Sequence, residues 1–309
     1  MINGLNQNEI APDSGIKNYF KRNPHIKFIA PAISIMVLLS VLPTLFLFVM
    51  SVTDYLLGWP FERATFVYFE NFIRLFSGGD PDFWYSVFIS LSFMVLATGL
   101  EMLFGFAIAS LLNSFEFKLK PLVIGILIIP LAMTPSIAAQ MWKLMYNSEY
   151  GVLNYLLGVF LGTKVVWLSS GMAFWSVLIV DCWQYTPFVA LIVYAGLRSL
   201  PREPYESAEI DGASRVQMLF YITLPMLRKL LYLTVLLRAI DSLKLFDIAF
   251  VLTQGGPGNK TEFLSLHIFR MANAQNGLIG RAAAISIVLL VIVTIVSRFL
   301  IKKQREGEN

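Results

Sequence analysis

Charged residues, histidine and cysteine are all scarce in this chain of 309 residues. Cys182 is the single cysteine, which excludes a secreted scaffold held together by disulfides. The two histidines, His25 and His267, are far apart in the sequence, and with one cysteine they indicate neither a metal site nor a catalytic pair. Charged residues make up 14% of the chain, and a formal net charge of +4 is too small to indicate a nucleic-acid partner.

Hydrophobic residues, by contrast, account for 57% of the chain, and aromatic residues account for 14%. A soluble domain of ordinary composition cannot bury that much apolar surface, and a disordered chain is poor in aromatic residues. The composition therefore places the chain in a membrane.

The segment from Phe28 to Met50 is the clearest membrane span, with 23 residues and no charge. At about 1.5 Å per residue, such a helix crosses the roughly 30 Å hydrocarbon layer. Five further candidates follow at about residues 86–112, 121–145, 172–197, 229–252 and 282–301. We therefore predict an all-α integral membrane fold of six transmembrane helices. Its parts are a tail over residues 1–27, a six-span domain over 28–301 and a second tail over 302–309.

Lysine and arginine are unevenly distributed between the two sides of this arrangement. With the N-terminus inside, the inner segments hold fifteen of the 24 Lys and Arg residues, and the outer loops hold six. Cytoplasmic loops retain positive charge, so we expect both termini in the cytoplasm. The first 27 residues are polar and lack the cleavage site of a signal peptide, which is typical of a cytoplasmic tail.

The inner loop between the fourth and fifth spans, about residues 198–228, carries helix signals of its own. Pro204 suits the first turn of a helix, and three glutamates lie where the positive end of the helix dipole favours them. Gly212 breaks this helix, and Ser214 is placed to cap a second one, which Leu224-Pro225 is expected to end. An amphipathic element of this kind lies on the membrane surface or docks into another protein.

The spacing within this loop resembles a family signature. Glu206-Ser207-Ala208, three residues, Gly212, nine residues, Ile222, one residue and Leu224-Pro225 are similar to the Glu-Ala-Ala…Gly…Ile-x-Leu-Pro signature of binding-protein-dependent ABC importer permeases. Ser207 departs from it by replacing one small residue with another. Other segments point to the sugar-importer branch, of the maltose, lactose and glycerol-3-phosphate type, and to the permease that pairs with a second, distinct one. These segments are Tyr68-x-Glu70-Asn71-Phe72, Phe246-Asp247 and Thr253-Gln254-Gly255-Gly256-Pro257.

The resemblance runs from about residue 28 to 301 and implies the type I fold of ABC importer permeases. In that fold the loop is a pair of coupling helices that insert into a cleft on a cytoplasmic ATPase. Glu206 is then the polar contact, and Gly212 allows the sharp corner between the helices. The implied ATPase-coupling residues are Glu206, Ser207, Ala208, Asp211, Gly212, Ile222, Leu224 and Pro225. The alternative from the pattern alone is a membrane-surface helix without a partner.

The resemblance also implies partners and a location. The chain is expected to pair with a second homologous permease subunit, a cytoplasmic ATPase dimer and an extracytoplasmic solute-binding protein. It contacts membrane lipid and no nucleic acid. ATP and Mg bind to the partner ATPase, so this chain is expected to hold no cofactor and to be no enzyme itself. The implied location is a bacterial or archaeal plasma membrane.

Four charged residues interrupt the apolar pattern of the fifth span. They are Arg238, Asp241, Lys244 and Asp247. Near the bilayer centre they oppose insertion by about 10–14 kcal/mol, whereas the fourteen Leu, Ile, Val and Phe residues between 230 and 252 favour it by only about 4–8 kcal/mol. This helix must therefore turn the charges toward neighbouring helices or a water-filled cavity. Their signs alternate at i, i+3 steps, so neighbours such as Lys244 and Asp247 can also neutralise each other.

Two stripes of polar and aromatic side chains suit a cavity of this kind. In the fifth span, one helix face combines Arg238, Asp241, Ser242 and Leu245. The fourth span offers a matching stripe of Asp181, Gln184, Tyr185 and Phe188. A sugar needs hydrogen bonds for its hydroxyl groups and aromatic surfaces for its C–H faces, so we predict these eight residues as the substrate pathway. Glu101, in the second span, has no evident partner in the sequence, and we interpret it as a buried hydrogen-bonding residue.

The sequence thus predicts the permease subunit of an ATP-driven, binding-protein-dependent importer that moves a sugar or oligosaccharide inward by alternating access. An alternative within the family is a permease for glycerol-3-phosphate, a polyol or another small solute. An anionic solute of this kind requires Arg238 or another cation to meet it. A rival from another class is an ion-coupled secondary transporter, in which Asp181, Asp241 or Glu101 carries the ion.

Overall fold

A computed structural model describes residues 25–273 and 277–306, and in these ranges the chain is built from helices. The helices of the first half are α1 (His25–Ser51), α2 (Glu70–Phe76), α3 (Phe83–Ser114), α4 (Lys120–Ala132), α5 (Pro135–Met145) and α6 (Val152–Leu161). Those of the second half are α7 (Ala173–Ser199), α8 (Glu203–Ile210), α9 (Arg215–Met218), α10 (Leu224–Leu243), α11 (Asp247–Leu252), α12 (Leu264–Asn273) and α13 (Ile279–Glu306). The predicted all-helical fold class is confirmed.

Four of the described helices are long and apolar enough to cross a membrane. They are α1 from Phe28 onward, α3, α7 and α13. These helices correspond to the first, second, fourth and sixth predicted spans, and each extends at most a few residues beyond the predicted bounds. The clearest apolar segments of the sequence therefore fold as long helices.

The predicted third span, 121–145, differs from a straight helix. It is covered by α4 and α5, which are bent by 97° relative to each other. Thr134 between them is extended, with φ −67° and ψ 143°, because Pro135 disfavours a helical conformation in the residue before it. Taken as one broken span, the pair makes a fifth crossing.

The predicted fifth span, 229–252, is wrong as a continuous helix. α10 ends at Leu243 and α11 begins at Asp247, so the helix is interrupted at residues 244–246. Three of the four charged residues of this span lie at the break or within one turn of it. Irregular backbone at membrane depth is tolerated where it lines a cavity or is covered by protein, and this break lines a pocket described below. The count of six transmembrane helices stays a prediction.

α3 and α7 form the centre of the bundle. Gly105 of α3 lies so close to α7 that a Cβ atom at residue 105 would be 2.6 Å from the Cβ of Val189. Near the starts of both helices, the Phe93 ring lies 5.8 Å from that of Phe174 and 5.0 Å from that of Phe263, in edge-to-face contacts. α10 packs against both helices, so this central pair positions the charged residues of α10.

α1 contacts α13 and leaves most of its surface uncovered. Only 6% of its most apolar stretch is buried, and large side chains such as Phe28, Met36 and Leu39 are mostly exposed. A helix that is apolar on all sides and has few protein contacts suits a lipid environment.

Candidate functional site

The loop after α7 folds into two short helices that meet at Gly212. α8 begins where the proline signal predicts it, with Glu206 in its first turn. Gly212 has a φ of 76°, a left-handed conformation that glycine adopts without strain. The Ala213 N–H donates to the Ala208 carbonyl at 2.9 Å, and the Gly212 N–H donates to that of Glu209 at 3.1 Å, which is the Schellman pattern of a helix end. The predicted glycine corner is confirmed.

Ser214 starts the second helix with a capping box. Its Oγ accepts from the Gln217 N–H at 3.3 Å, and its own N–H donates to the Gln217 Oε1 at 2.7 Å. The predicted end of this helix at Leu224-Pro225 is wrong, because α9 continues through a π turn, Leu219–Thr223, directly into α10. Pro225 lacks an N–H and crowds the preceding turn of an α-helix, and the wider π turn accommodates it. The second helix of this loop is therefore a direct extension of α10.

The tip of this loop presents apolar and acidic side chains together. Ile210 is 87% exposed and Tyr221 is 80% exposed, and Glu206 is exposed as well. Behind the tip, a 2.9 Å hydrogen bond between the hydroxyls of Tyr205 and Thr223 ties α8 to the π turn. Of the other predicted coupling residues, Ser207, Asp211, Gly212 and Pro225 are exposed, and Ala208, Ile222 and Leu224 are half-buried. An exposed apolar patch with a polar rim is typical of a protein-binding surface.

A pocket of about 310 Å³ lies between α7, α10, α11 and the start of α5. Its lining includes Asp181, Tyr185, Arg238, Asp241 and Leu245, five of the eight predicted pathway residues. The remaining lining residues are Pro135, Lys244, Phe246, Asp247 and Ile248. The two predicted stripes therefore meet at one pocket, where the break between α10 and α11 forms part of the wall.

Three predicted pathway residues, Ser242, Gln184 and Phe188, do not line this pocket. The Oγ of Ser242 lies 3.4 Å from the Arg238 guanidinium. Gln184 is buried, and its Nε2 donates to the Met133 carbonyl at 3.0 Å. Phe188 packs with the apolar cluster that contains Val189. Ser242 therefore contacts the Arg238 guanidinium, and Gln184 binds the segment between α4 and α5. Phe188 does not form part of the pocket wall.

Arg238 is the centre of a buried ion cluster behind the pocket. Its Nε donates to the Glu101 Oε2 at 2.5 Å, and its Nη2 donates to the Glu101 Oε1 at 2.7 Å. Nη2 also lies 3.2 Å from the Asp181 Oδ2, and the Tyr185 ring covers the guanidinium, with Cζ 3.9 Å from the ring centroid. All three charged side chains are at most 2% exposed. Glu101 is therefore a buried hydrogen-bonding residue, as interpreted, and Arg238 is its partner.

The other charged residues of the predicted fifth span have partners of their own. Lys244 Nζ lies 3.6 Å from the Asp241 Oδ1, so these two neutralise each other at an i, i+3 step. Asp247 accepts a hydrogen bond from the Ser136 hydroxyl at 3.1 Å, across from α5. The predicted neutralisation along the helix thus joins Lys244 to Asp241, whereas Asp247 binds to the broken third span.

A second ion cluster lies at the opposite end of the bundle from the loop after α7. His267 on α12 lies with Nε2 2.7 Å from the Asp80 Oδ2 and Nδ1 3.3 Å from the Glu262 Oε1, and Glu262 also pairs with Arg270 at 2.7 Å. Burial alone lowers the pKa of His267, but its hydrogen bonds to the two carboxylates raise that pKa to about 9. His267 is therefore a structural cation that holds α12 to the residues just before α3.

A family model described as the binding-protein-dependent transport system inner membrane component matches residues 101–306, which include the loop after α7 and the charged pocket. The chain belongs to this family. It is a permease component of such a transport system, and it is not the enzyme that hydrolyses ATP. The predicted family resemblance is confirmed.

Other permeases resemble the chain over most of its length. A trehalose/maltose transport system permease protein from Thermococcus litoralis is 37% identical over 266 residues, which cover 86% of this chain and 88% of that protein. A sulfoquinovosyl glycerol transport system permease protein from Agrobacterium fabrum is 31% identical over 272 residues, which cover 85% of this chain and 84% of that protein. The similarity therefore extends over most of the length of this permease and of both relatives.

The fold is shared with solved importer structures. A chain of a bacterial ABC transporter involved in the import of the acidic polysaccharide alginate superposes with a TM-score of 0.77 at 21% identity, covering 95% of this chain and 99% of that chain. A chain of a methionine ABC transporter in an inward-facing conformation gives 0.52 at 16% identity, covering 74% of this chain and 98% of that chain. At these identities the likeness concerns the fold, which is the type I permease fold predicted from the sequence.

Sequence reasoning missed the pairing of Glu101 with Arg238 in this permease. A signal was available, because Glu101 and Arg238 carry opposite charges near the middle of apolar spans and Glu101 is the single charged residue of its span. Buried charges in a membrane protein pair with one another or face a cavity. It also missed that His267 binds two carboxylates, one of which, Asp80, is 187 residues away in the sequence.

Proposed function

We propose that this permease moves a sugar or oligosaccharide into the cytoplasm by alternating access, driven by ATP hydrolysis on a partner ATPase. Its relatives from T. litoralis and A. fabrum are named for carbohydrate solutes. The pocket beside Arg238 combines carboxylates with the rings of Tyr185 and Phe246, which suits hydroxyl groups and C–H faces. The observation that carries the proposal is that one helix, α10, links this pocket to the exposed coupling loop.

The coupling step follows from that continuity. The exposed tip around Glu206 and Ile210 docks into the ATPase, which holds ATP and Mg. The hydrogen bond between Tyr205 and Thr223 ties α8 to the π turn, and the π turn continues into α10, so a displacement of the tip by ATPase closure is transmitted along α10. Arg238 lies on α10, so the same displacement shifts the pocket wall against α3 and α7. Binding of solute in the pocket and binding of ATP to the ATPase then shift the same equilibrium between the two states of alternating access.

The orientation and the remaining partners follow from the charge distribution. Both termini and the coupling loop lie in the cytoplasm, on the side rich in Lys and Arg. A soluble binding protein delivers the solute at the end closed by the His267 cluster, and a second, homologous permease completes the pathway. The location is the plasma membrane of a bacterium or archaeon.

Two alternatives receive less support. Glycerol-3-phosphate needs a cation in the pocket, but Arg238 is bound by Glu101 and Asp181. An ion-coupled transporter with a carboxylate carrier needs no ATPase, and it gives the exposed coupling loop no role.

Uptake into proteoliposomes tests the proposal. The permease is reconstituted with its partner permease, ATPase and binding protein, and radiolabelled neutral disaccharides are supplied outside. We expect uptake that requires internal ATP and survives collapse of the ion gradients. Uptake driven by an ion gradient without ATP contradicts the proposal, and a transporter that accumulates other solutes but no carbohydrate contradicts its sugar class.

A further inference from the structure

The pocket between α7, α10 and α11 carries an excess of negative charge. Among the described residues, the charged side chains that line it are Asp181, Arg238, Asp241, Lys244 and Asp247, and Glu101 lies directly behind Arg238. Four carboxylates therefore face two cations, which is a formal charge of −2. This balance disfavours a negatively charged solute.

Arg238, the buried one of these two cations, is already paired with carboxylates. Arg238 directs Nε and Nη2 to Glu101 and Nη2 also to Asp181, and its Nη1 lies 4.0 Å from the Asp241 Oδ2. The Tyr185 ring covers a face of the guanidinium, and the side chain is 1% exposed. An anion has to displace a buried carboxylate to bind to Arg238. A buried carboxylate without its cation is costly, so this exchange is unfavourable.

Lys244 is the remaining cation, and it does not offset the excess. Its Nζ lies 3.6 Å from the Asp241 Oδ1, and its side chain is 52% exposed. Asp247 is three residues further along the chain and lines the same pocket. A solute anion that approaches Lys244 therefore also approaches two aspartates.

We propose that this pocket rejects anionic solutes, so that the permease passes uncharged sugars and excludes phosphorylated or acidic ones. The inference rests on the proposed sugar-import function and narrows its substrate class. The fold alone does not set this selectivity, since a chain of the same fold belongs to a transporter of an acidic polysaccharide. The selectivity resides in the balance of Asp241, Lys244 and Asp247 around an occupied Arg238.

The expected size of the effect follows from Coulomb's law. One uncompensated like charge at about 8 Å, in an effective dielectric of about 40, weakens binding by roughly fivefold. The excess of two charges then predicts that an anion binds at least roughly tenfold more weakly than its neutral parent. Replacing the two exposed aspartates, Asp241 and Asp247, is expected to remove most of this difference in affinity.

Trehalose and trehalose 6-phosphate form a matched pair of probes. Their affinities are measured by equilibrium dialysis on the purified complex of the permease, its partner permease and the ATPase, without the binding protein. The variant is Asp241→Asn/Asp247→Asn. The control is Glu62→Gln/Glu149→Gln, which removes two exposed carboxylates that do not line the pocket. The readout is the ratio of the two affinities, so a uniform change in binding strength does not affect it.

We expect the wild type and the control to favour trehalose by at least roughly tenfold, and the aspartate variant to bring the ratio within roughly threefold of unity. Equal affinities in the wild type, or an unchanged ratio in the aspartate variant, overturn the inference. The uptake assay distinguishes the two proposals. ATP-driven uptake of neutral sugar, together with equal affinities for the two probes, contradicts this inference and leaves the proposed sugar import standing. A complex that binds neither probe also contradicts the inference, whatever the uptake assay shows.

Discussion

Arg238 of α10 and Glu101 of α3 form a two-point ion pair at the centre of the bundle, with hydrogen bonds of 2.5 and 2.7 Å. The two residues are 137 positions apart in the sequence. Asp181 of α7 approaches the same guanidinium at 3.2 Å, so one side chain links three helices around the pocket. A tilt of α10 relative to α3 has to move or break this pair, which makes it a structural restraint on alternating access.

Removing Arg238 is expected to destabilise the permease more than removing Glu101. Arg238→Met leaves two buried carboxylates without their cation, whereas Glu101→Leu leaves Arg238 paired with Asp181. Breaking a buried ion pair from one side costs about 3–5 kcal/mol. Thermal unfolding of the purified permease in detergent measures both losses.

The control for these variants is Arg74→Met. It breaks the exposed pair between Arg74 and Glu70, whose atoms are 2.6 Å apart, and it is expected to cost less than about 1 kcal/mol. Equal unfolding temperatures for Arg238→Met and Arg74→Met contradict the structural role of the buried cluster.

Substitutions of Gly212 are expected to act through the backbone alone. Its φ of 76° is left-handed, and no atom lies within 4 Å of the position that a Cβ would take. Asparagine tolerates this conformation, whereas a β-branched residue is strained by about 1–2 kcal/mol. We therefore expect transport to fall in the order wild type, Gly212→Asn, Gly212→Val. Measured uptake that is the same for the asparagine and valine variants contradicts a strained corner.

The His267 cluster is expected to stabilise the permease in a defined pH range. The pKa of His267 rises from 6.5 to about 9 on folding, so its stabilisation is fully present below pH 6.5 and is lost as the pH rises through about 9. A shift of this size corresponds to roughly 2–4 kcal/mol. Thermal midpoints of the wild type and His267→Gln, measured from pH 6.5 to 10, should converge at the alkaline end. A gap that widens with pH contradicts the assignment of a buried imidazolium.

Gly105 is expected to be the tightest point between α3 and α7. A Cβ there meets Val189 at 2.6 Å, so Gly105→Leu forces the helices apart and should lower the thermal midpoint. Gly99 on the same helix has open space around its Cβ position and is the matched control. If Gly105→Leu and Gly99→Leu behave alike, the close contact is wrong.

Local signals predicted the glycine corner and the capped second helix of the loop after α7. Gly212 and Ser214 each act through hydrogen bonds within about five residues, so their roles are written in the adjacent sequence. Pro225 was misread as the end of a helix, because the wider π turn before it accommodates a proline and the helix continues. The continuity between loop and α10, which carries the coupling proposal, was therefore not predictable from local rules.

The features that the sequence did not predict depend on packing between helices. Periodicity placed Phe188 on one face with Asp181, but seven residues lie about 10 Å apart along a helix, which carries Phe188 past the pocket. The partner of Glu101 depends on how α3 meets α10, and no spacing within either helix encodes that contact. The predicted fifth span is interrupted between α10 and α11, and the residues of the interruption line the pocket.

The central claim is that the exposed loop couples ATP hydrolysis to solute passage. The ratio of sugar taken up to ATP hydrolysed tests it most directly, measured in the same proteoliposomes for the wild type, Glu206→Lys and the distant control Glu149→Lys. We expect Glu206→Lys to retain an inserted, assembled subunit and to lose at least most of this ratio, while the control keeps it. A wild-type ratio in Glu206→Lys contradicts the account.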